Sequence, residues 1–269
     1  MTQKQSKDLE TLNTDMEEIK KFEYAKWHAY FEEAIQGKGQ EHETTLWWQV
    51  SDRDSIEIVK SLFTSEQPID VLEAACGSGG TSFELARDMA LSSLTLLDLS
   101  TNALDFAKTL EPDRLNGKVN YIEGDVTQLP FQDNFFHLTW NVGVIEHYPK
   151  QMLLQIAKEM LRVTKREGYV VLGIPNRYSV AVLKAWFLGT DFGRRYLPFV
   201  TGYRFDTEIL YGNHELKIFF EESLNTCVDV AYAGNCLWVG APNMLVRLTQ
   251  TYFKKSPFSF LTFFILKQQ

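Results

Sequence analysis

The sequence predicts a doubly wound, Rossmann-like α/β fold, and three observations support this prediction. Short apolar runs alternate with amphipathic segments over residues 69–174, which is typical of a parallel sheet with crossover helices. A glycine-rich turn over residues 76–80 follows the first apolar run. Asp98 ends the second run, at the edge of the sheet where folds of this type bind ligands.

Five apolar runs are assigned to parallel strands: 69–75, 93–98, 119–123, 136–141 and 169–174. Three intervening segments are assigned to helices, and the last of them carries apolar residues at helical spacing: 81–89, 100–110 and 150–163. Beyond them we expect one further helix and two strands: 215–224, 228–233 and 260–266. The predicted architecture is a mostly parallel seven-stranded sheet with an antiparallel C-terminal strand.

Three regions are expected along the chain. Residues 1–60 form an N-terminal helical region that either packs on the core as a helix pair or closes as a lid over a ligand, with a turn at 37–39. Residues 61–175 and 214–269 form the core. Residues 176–213 are aromatic and basic without a clear strand, which indicates an inserted cap.

Composition narrows the classes of function. The 269 residues carry a net charge of -8, which disfavours broad binding to nucleic-acid backbones. The three cysteines are widely spaced and indicate neither a disulfide framework nor a metal site. The chain starts without an apolar signal segment and has no run long enough to span a bilayer. We therefore expect a soluble, cytoplasmic protein, and the oligomeric state stays open.

The glycine-rich turn and Asp98 fit two nucleoside ligands, NAD and S-adenosylmethionine. An acid 19 residues after Gly79 is placed to accept hydrogen bonds from ribose hydroxyls, although it could instead cap the next helix. The dinucleotide fingerprint requires a third glycine, and Ser82 stands there. Glu73 would repel a pyrophosphate but suits a ligand with an ammonium group. Both observations favour S-adenosylmethionine.

The motifs then resemble class I S-adenosylmethionine-dependent methyltransferases of the ubiquinone-biosynthesis, small-molecule type. Residues 73–79 resemble the first motif, E/D-x-G-x-G-x-G, with Ala75 in place of the first glycine. Four later segments resemble further motifs of the family in the same order: 94–100, 124–126, 129–137 and 141–147. The residues at both ends of the fifth strand resemble the family's fifth-strand motif as well, so the resemblance covers residues 65–176.

The resemblance implies a set of residues that bind the cofactor. The cofactor is expected to approach the backbone at the glycines of the turn, and its methionyl end is expected to contact the carboxylate that precedes the turn. Its ribose and adenine are expected to contact residues at the ends of the next two strands. An Asn carbonyl after the fourth strand is expected to accept from the ligand's ammonium. The candidates are Glu73, Ala75, Gly77, Gly79, Asp98, Leu99, Asp125, Val126 and Asn141.

His147 is the candidate general base, because it follows the fourth strand where an acceptor would approach. It could equally orient the substrate or serve only the structure. Glu146 is expected to orient that histidine, contact substrate or cap the next helix. His214, at the end of the cap, is a second and weaker candidate for the base or for contact with substrate.

The cap offers candidate acceptor-binding residues, since arginines pair with anionic groups and aromatic rings form pocket walls. The residues proposed for this role are Tyr178, Arg194, Arg195 and Tyr203. They would suit an amphiphilic or aromatic acceptor with an anionic group. The cap could also be an ordinary packed subdomain with a solvated basic face.

The predicted function is methyl transfer to an O, N or C atom of a small molecule by in-line displacement. A nucleic-acid methyltransferase is a competing hypothesis, but residues 141–144 lack the aromatic side chain that stacks on a flipped base. The sequence is also compatible with a non-catalytic S-adenosylmethionine-binding protein and, less well, with a dehydrogenase.

Overall fold

The computed structural model describes residues 3–37, 45–65, 67–197 and 207–269. The helices in these residues are α1 (Gln3–Ile35), α2 (Leu46–Ser61), α3 (Gly80–Asp88), α4 (Thr101–Leu110), α5 (Lys150–Val163), α6 (Val180–Gly189), α7 (Asp191–Tyr196), α8 (Asn213–Leu224) and α9 (Asn243–Phe253). The strands are β1 (Ile69–Ala74), β2 (Leu91–Asp98), β3 (Val119–Glu123), β4 (Phe136–Val142), β5 (Thr164–Pro175), β6 (Val228–Ala233) and β7 (Leu261–Lys267).

The strands form one sheet of seven in the order β3-β2-β1-β4-β5-β7-β6. Pairs among β1 to β5 are parallel, and β7 runs antiparallel to both β5 and β6. The predicted doubly wound fold is confirmed. Since the strand order reverses direction between β1 and β4, the carboxyl ends of these strands border the crevice where open α/β sheets bind ligands.

Alternating residues of each strand place apolar side chains on both faces of the sheet. Val71 and Leu138 pack in the layer that contains α2, α3 and α6. Leu72 and Val170 pack in the opposite layer with α5 and α8. Burial on both faces fixes the register of the strands, because a one-residue slip would turn every side chain to the wrong face.

The strand β5 begins five residues earlier than the sequence pattern indicates. It follows α5 directly at Thr164, which pairs with Phe136, and the register shifts before Leu138. The hydroxyls of Thr139 and Thr164 lie 2.8 Å apart in the buried layer, which holds this first part of the strand against β4. Glu167 takes a left-handed backbone conformation, so the polar segment bulges without leaving the sheet.

The region expected to form an inserted cap contains two helices within its described part. The hydroxyl of Ser179 accepts from the backbone N–H of Val182 at the start of α6, and Thr190 caps α7 in the same way. Residues 198–206 lie outside the described residues. Among the helices that the structure describes, none combines the length and apolar character needed to cross a bilayer.

Candidate active site

A cavity of about 1110 Å³ opens at the carboxyl edge of the sheet. One wall consists of the turn after β1 and the ends of β2, β3 and β4. A second wall is the inner face of α1, and a third joins α2 to residues near β5 and β7. The sheet edge, two helices and the C-terminal segment therefore enclose one space.

The turn after β1 holds three residues in the left-handed region, Ala75 (φ 59°), Gly77 (φ 53°) and Gly79 (φ 67°). Gly77 lines the cavity, and a Cβ atom there would lie 3.2 Å from the ring of Phe31. At Gly79 a Cβ would lie 2.6 Å from the side chain of Leu96, so this glycine permits close packing of α3 on β2. Ala75 stands where the family usually has glycine. In its left-handed conformation a glycine carries no steric penalty, whereas the Cβ of alanine does.

Asp98 connects the end of β2 to the glycine turn. Its carboxylate accepts the backbone N–H of Gly77 and the backbone N–H of Ser100, each at 2.9 Å. Burial raises the pKa of Asp98, and the two backbone donors oppose that shift. Because Asp98 also lines the cavity, the remaining lone pairs of its oxygens are available to hydroxyl donors of a ligand.

Glu73 lies near the end of β1 and is buried in the wall of the cavity. Its Oε2 atom has no hydrogen-bond partner. Burial, with smaller contributions from Asp52 and Asp98, raises the pKa of Glu73 to about 8. At neutral pH this carboxyl is therefore mostly protonated, and a cationic group beside it would favour its ionised form.

Asp125 follows β3 and is held from two directions. It accepts the backbone N–H and the hydroxyl of Thr127, each at 2.7 Å, and its other oxygen accepts from the Lys20 ammonium at 2.9 Å. Burial by itself would raise the pKa of Asp125, but these hydrogen bonds and the charge of Lys20 hold it below its ordinary value. The ion pair joins α1 to the sheet edge.

His147 lies in a short 3₁₀ turn, Ile145–His147, after β4, and its side chain is buried in the cavity wall. Its Nδ1 atom lies 2.9 Å from the Thr207 hydroxyl and 3.6 Å from the carboxylate of Glu23. The indole N–H of Trp27 donates to the same carboxylate at 3.1 Å. Glu23 and Trp27 belong to α1, so the N-terminal helix supplies partners of the candidate base.

Glu146, the neighbour of His147, is fully buried and also faces the cavity. Its Oε2 atom has no hydrogen-bond partner, and burial raises its pKa to about 8. Its backbone carbonyl accepts from Ile209 at 2.7 Å. This contact and the one from Thr207 to His147 tie residues 207–209 to the turn after β4.

Seven of the nine proposed cofactor residues line the cavity: Glu73, Ala75, Gly77, Asp98, Leu99, Asp125 and Val126. Gly79 packs against β2 instead, and Asn141 is buried with its amide directed to the sulfur of Met160, while Val142 and Gly143 line the cavity. Glu146 and His147 also line it.

The proposed acceptor-binding residues of the cap lie elsewhere. Tyr178, Arg194, Arg195 and His214 are exposed and are not part of the cavity wall. Tyr203 lies outside the described residues. Their role in binding an acceptor stays a prediction.

The sequence offered a lid over a ligand as one alternative for residues 1–60, but no individual residue of α1 was assigned to the site. Its cavity residues include Lys20, Glu23, Trp27, Phe31 and Ala34, which recur at intervals of three and four and therefore share one helix face. A polar pair on the same face as two aromatic rings is the signal that could have identified them.

The geometry agrees with a comparison against known families. Residues 72–172, which run from β1 to β5 and contain the sheet-edge wall, match the family described as a methyltransferase domain. The predicted resemblance to the class I S-adenosylmethionine-dependent methyltransferases is confirmed over these residues. The cofactor of this enzyme class is S-adenosylmethionine.

Curated relatives of this chain are similar to it over limited spans. It is 34% identical over 99 residues to phthiotriol/phenolphthiotriol dimycocerosates methyltransferase from Mycobacterium tuberculosis, covering 37% of this chain and 35% of the relative. It is 26% identical over 191 residues to the mitochondrial ubiquinone biosynthesis O-methyltransferase of Candida albicans, covering 69% and 56%. The chain thus spans less than two thirds of the length of either relative.

A solved structure shows the same fold. Magnesium protoporphyrin IX methyltransferase from Synechocystis PCC 6803, solved with bound S-adenosylhomocysteine (SAH), superposes with a TM-score of 0.54 at 12% identity. The superposition covers 89% of this chain and 93% of the other. At this identity the likeness concerns the fold alone.

The side chains at the sheet edge fit the cofactor. An amino-acid end with an ammonium group needs a buried acceptor, and Glu73 Oε2 is a buried oxygen without a partner. A ribose needs a fixed carboxylate, and Asp98 is held by two backbone donors. An adenine needs an apolar surface and an acceptor for its amino group, which Leu99, Val126 and Asp125 provide in the same cavity.

Proposed function

We propose that this methyltransferase transfers a methyl group to a hydroxyl oxygen of a small amphiphilic molecule. The observation that carries the proposal is the buried His147 imidazole, which shares one cavity with Glu73, Asp98 and Asp125. A hydroxyl must lose its proton as it becomes methylated, and an imidazole is suited to accept one near neutral pH.

In this proposal the sheet edge binds the cofactor. Glu73 accepts from the ammonium group, Asp98 accepts from the ribose hydroxyls, and Asp125 accepts from the adenine amino group. When bound, S-adenosylmethionine supplies an electrophilic methyl group on its sulfonium sulfur. The enclosing walls exclude water and hold the acceptor in line, which is the main contribution a protein can make to such a displacement.

The contacts of His147 define its part in the proposal. Nδ1 is directed to the Thr207 hydroxyl with the Glu23 carboxylate beside it, and the imidazole ring held in this way is proposed to take the acceptor's proton. The nearby carboxylate stabilises the imidazolium that results, as in other base–carboxylate pairs. The Trp27 indole holds the carboxylate in place.

The third wall of the cavity supports an amphiphilic acceptor. Trp48, Ile56 and Phe260 give it apolar surface, while Asp52 and Arg53 give it polar groups. Two relatives fit the same class by their names, one an O-methyltransferase of ubiquinone biosynthesis and one a methyltransferase of phthiotriol dimycocerosates. These names favour an oxygen acceptor on a molecule with a large apolar part.

Labelled methyl transfer to catechol and to 4-dodecylcatechol tests the proposal, because the two acceptors share their hydroxyls and differ only in the apolar tail. We expect the dodecyl compound to have the higher kcat/KM. His147→Asn should lower kcat by about 10²- to 10⁴-fold while the affinity for SAH, measured by calorimetry, stays unchanged.

Transfer to amines or to RNA, with none to either catechol, would contradict the proposed acceptor. A His147→Asn variant with wild-type kcat would contradict the proposed base. Loss of SAH binding in that variant would show instead that His147 serves the cofactor site.

A further inference from the structure

Helix α6 is apolar on two opposite faces. Ala181, Val182, Ala185 and Leu188 are buried against the core. The residues Val180, Leu183, Trp186 and Phe187 are spaced by three, three and one, so they share the other face, and each is between 43% and 51% exposed. A helix that packs only on its own core does not require this second apolar face.

The exposed face continues onto α7. The ring of Phe187 lies 6.0 Å from that of Phe192, which lies 4.9 Å from that of Tyr196. Phe192 and Tyr196 are both more than half exposed. We name the set Val180, Leu183, Trp186, Phe187, Phe192 and Tyr196 the aromatic face. Contiguous exposed apolar surface of this kind marks a site of interaction.

Positive charge accompanies the aromatic face, although the chain as a whole has a net charge of -8. Residues 177–197 contain four basic residues, Arg177, Lys184, Arg194 and Arg195, and one acid, Asp191. The guanidinium of Arg195 lies over the ring of Tyr196, 5.7 Å from its centre. Tryptophan, phenylalanine and leucine beside lysine and arginine are the residues that place a helix at an anionic bilayer surface.

The aromatic face begins at Val180, five residues after Pro175 of the cavity wall. The backbone N–H of Val180 donates to the carbonyl of Cys236, and that of Asn176 donates to the carbonyl of Phe260. Pro175 and Phe260 line the cavity. An apolar molecule that leaves a bilayer beneath α6 would therefore meet the third wall of the site after a short path.

We propose that the aromatic face docks this protein on the surface of an anionic lipid bilayer. A second copy of the chain fits less well, because a two-fold contact would bring the four basic residues against their own copies. The docking is independent of the proposed methylation. Only its use, the entry of an amphiphilic acceptor from the bilayer, rests on the proposed function.

Vesicle flotation of the full chain tests the docking. Vesicles of phosphatidylcholine alone are compared with vesicles of equal parts phosphatidylcholine and phosphatidylglycerol. We expect binding to the anionic vesicles that weakens with added salt and little binding to the neutral ones. Trp186→Ser combined with Phe187→Ser should lower binding to anionic vesicles at least about tenfold.

Matched variants separate the apolar and charge contributions. Trp186→Phe keeps a ring at that position and should bind as the wild type does, as should Ile218→Ser, which removes an exposed aliphatic side chain from α8. Lys184→Glu with Arg195→Glu should lower binding at least about tenfold, since each basic residue near such a surface contributes about 1 kcal/mol. Unchanged SAH affinity and thermal melts show that the variants are folded.

Absence of wild-type binding to anionic vesicles would overturn the proposal, and so would full binding by the Trp186 and Phe187 double variant. A wild-type dimer that the double variant converts to a monomer, without vesicle binding, would assign the face to self-association instead. The assay contains no acceptor and no turnover, so its result is separate from that of the methyl-transfer experiment.

Discussion

Two walls of the cavity are built in different ways. The sheet-edge wall takes its shape from backbone geometry, because the backbone N–H of Gly77 in the turn after β1 donates to Asp98 at the end of β2, and the two strands are in fixed register. The α1 wall depends on side chains from a distant part of the chain, such as Lys20 on Asp125 and Glu23 beside His147. We propose that the first wall binds the cofactor and that the second wall completes the site for chemistry.

The largest expected effect is a pH dependence of stability that arises from two buried carboxyls of the cavity. Between pH 4.5 and about 8, folded protein keeps a proton on Glu73 and on Glu146 that the unfolded chain releases. The free energy of unfolding of the ligand-free protein should therefore fall as pH rises, by up to about 1.4 kcal/mol per pH unit for each carboxyl. Denaturant melts from pH 5 to pH 9 measure this slope.

Substitution of glutamine for Glu73 and for Glu146 gives a matched pair of variants. Glu73→Gln and Glu146→Gln should each remove part of the slope. Saturating SAH should remove the part of the slope that Glu73 causes, because the ammonium group of SAH favours the ionised Glu73 carboxylate. The part of the slope that Glu146 causes should remain. A slope that SAH does not change would contradict the assignment of Glu73 to the ligand's ammonium.

Asp98 tests the sheet-edge wall alone. Asp98→Ala should weaken SAH binding by about tenfold to a hundredfold, since hydrogen bonds to a charged group contribute about 1.5–3 kcal/mol. Asp98→Asn keeps one oxygen acceptor and should lose less affinity for SAH than the alanine variant. Calorimetry gives both affinities, and a wild-type affinity in the alanine variant would remove Asp98 from the cofactor site.

Glu23 tests the α1 wall alone. Glu23→Gln should lower kcat about tenfold with unchanged SAH affinity, because His147 loses the carboxylate that stabilises its charged form. Glu18→Gln, on the exposed side of α1, is the control and should leave kcat unchanged. Equal loss of SAH affinity and kcat in the Glu23 variant would show that the walls are not separate in function.

Ala75 gives the smallest effect and concerns the backbone of the sheet-edge wall. Ala75→Gly should raise the free energy of unfolding by about 1 kcal/mol, because glycine has no steric penalty at φ 59°. The same substitution in a helix, Ala86→Gly in α3, should lower it by about 1 kcal/mol. Denaturant melts that show a loss at both positions would contradict the strain assigned to Ala75.

The sheet-edge wall could be predicted from the sequence because the patterns that indicate it are local. The apolar runs predict β3 and β6 with the bounds that the structure shows, and Asp98 follows Gly79 at a spacing that the fold itself imposes. The start of β5 at Thr164 was missed, because a polar segment with Glu167 and Gly168 is typical of a turn. Only the neighbouring strand β4 makes it part of the sheet.

For the α1 wall the sequence suggested a lid as one alternative, but its residues and contacts could not be predicted, for a different reason. An aromatic amphipathic segment was evident around Trp27, but a helix pattern does not state which surface the helix contacts. The contacts of Lys20 with Asp125 and of Glu23 with His147 join residues more than one hundred positions apart. The cap arginines were expected in the site because of their residue type, and the fold places Arg194 and Arg195 at the surface.

The central claim is that the sheet-edge wall and the α1 wall enclose one cofactor. Hydrogen–deuterium exchange of the wild-type chain with and without SAH tests this directly. We predict slower exchange on SAH binding both in the turn and strand ends around Gly77 and Asp98 and in α1 from Lys20 to Ala34. Protection of the sheet edge with no change in α1, or no protection at saturating SAH, would contradict it.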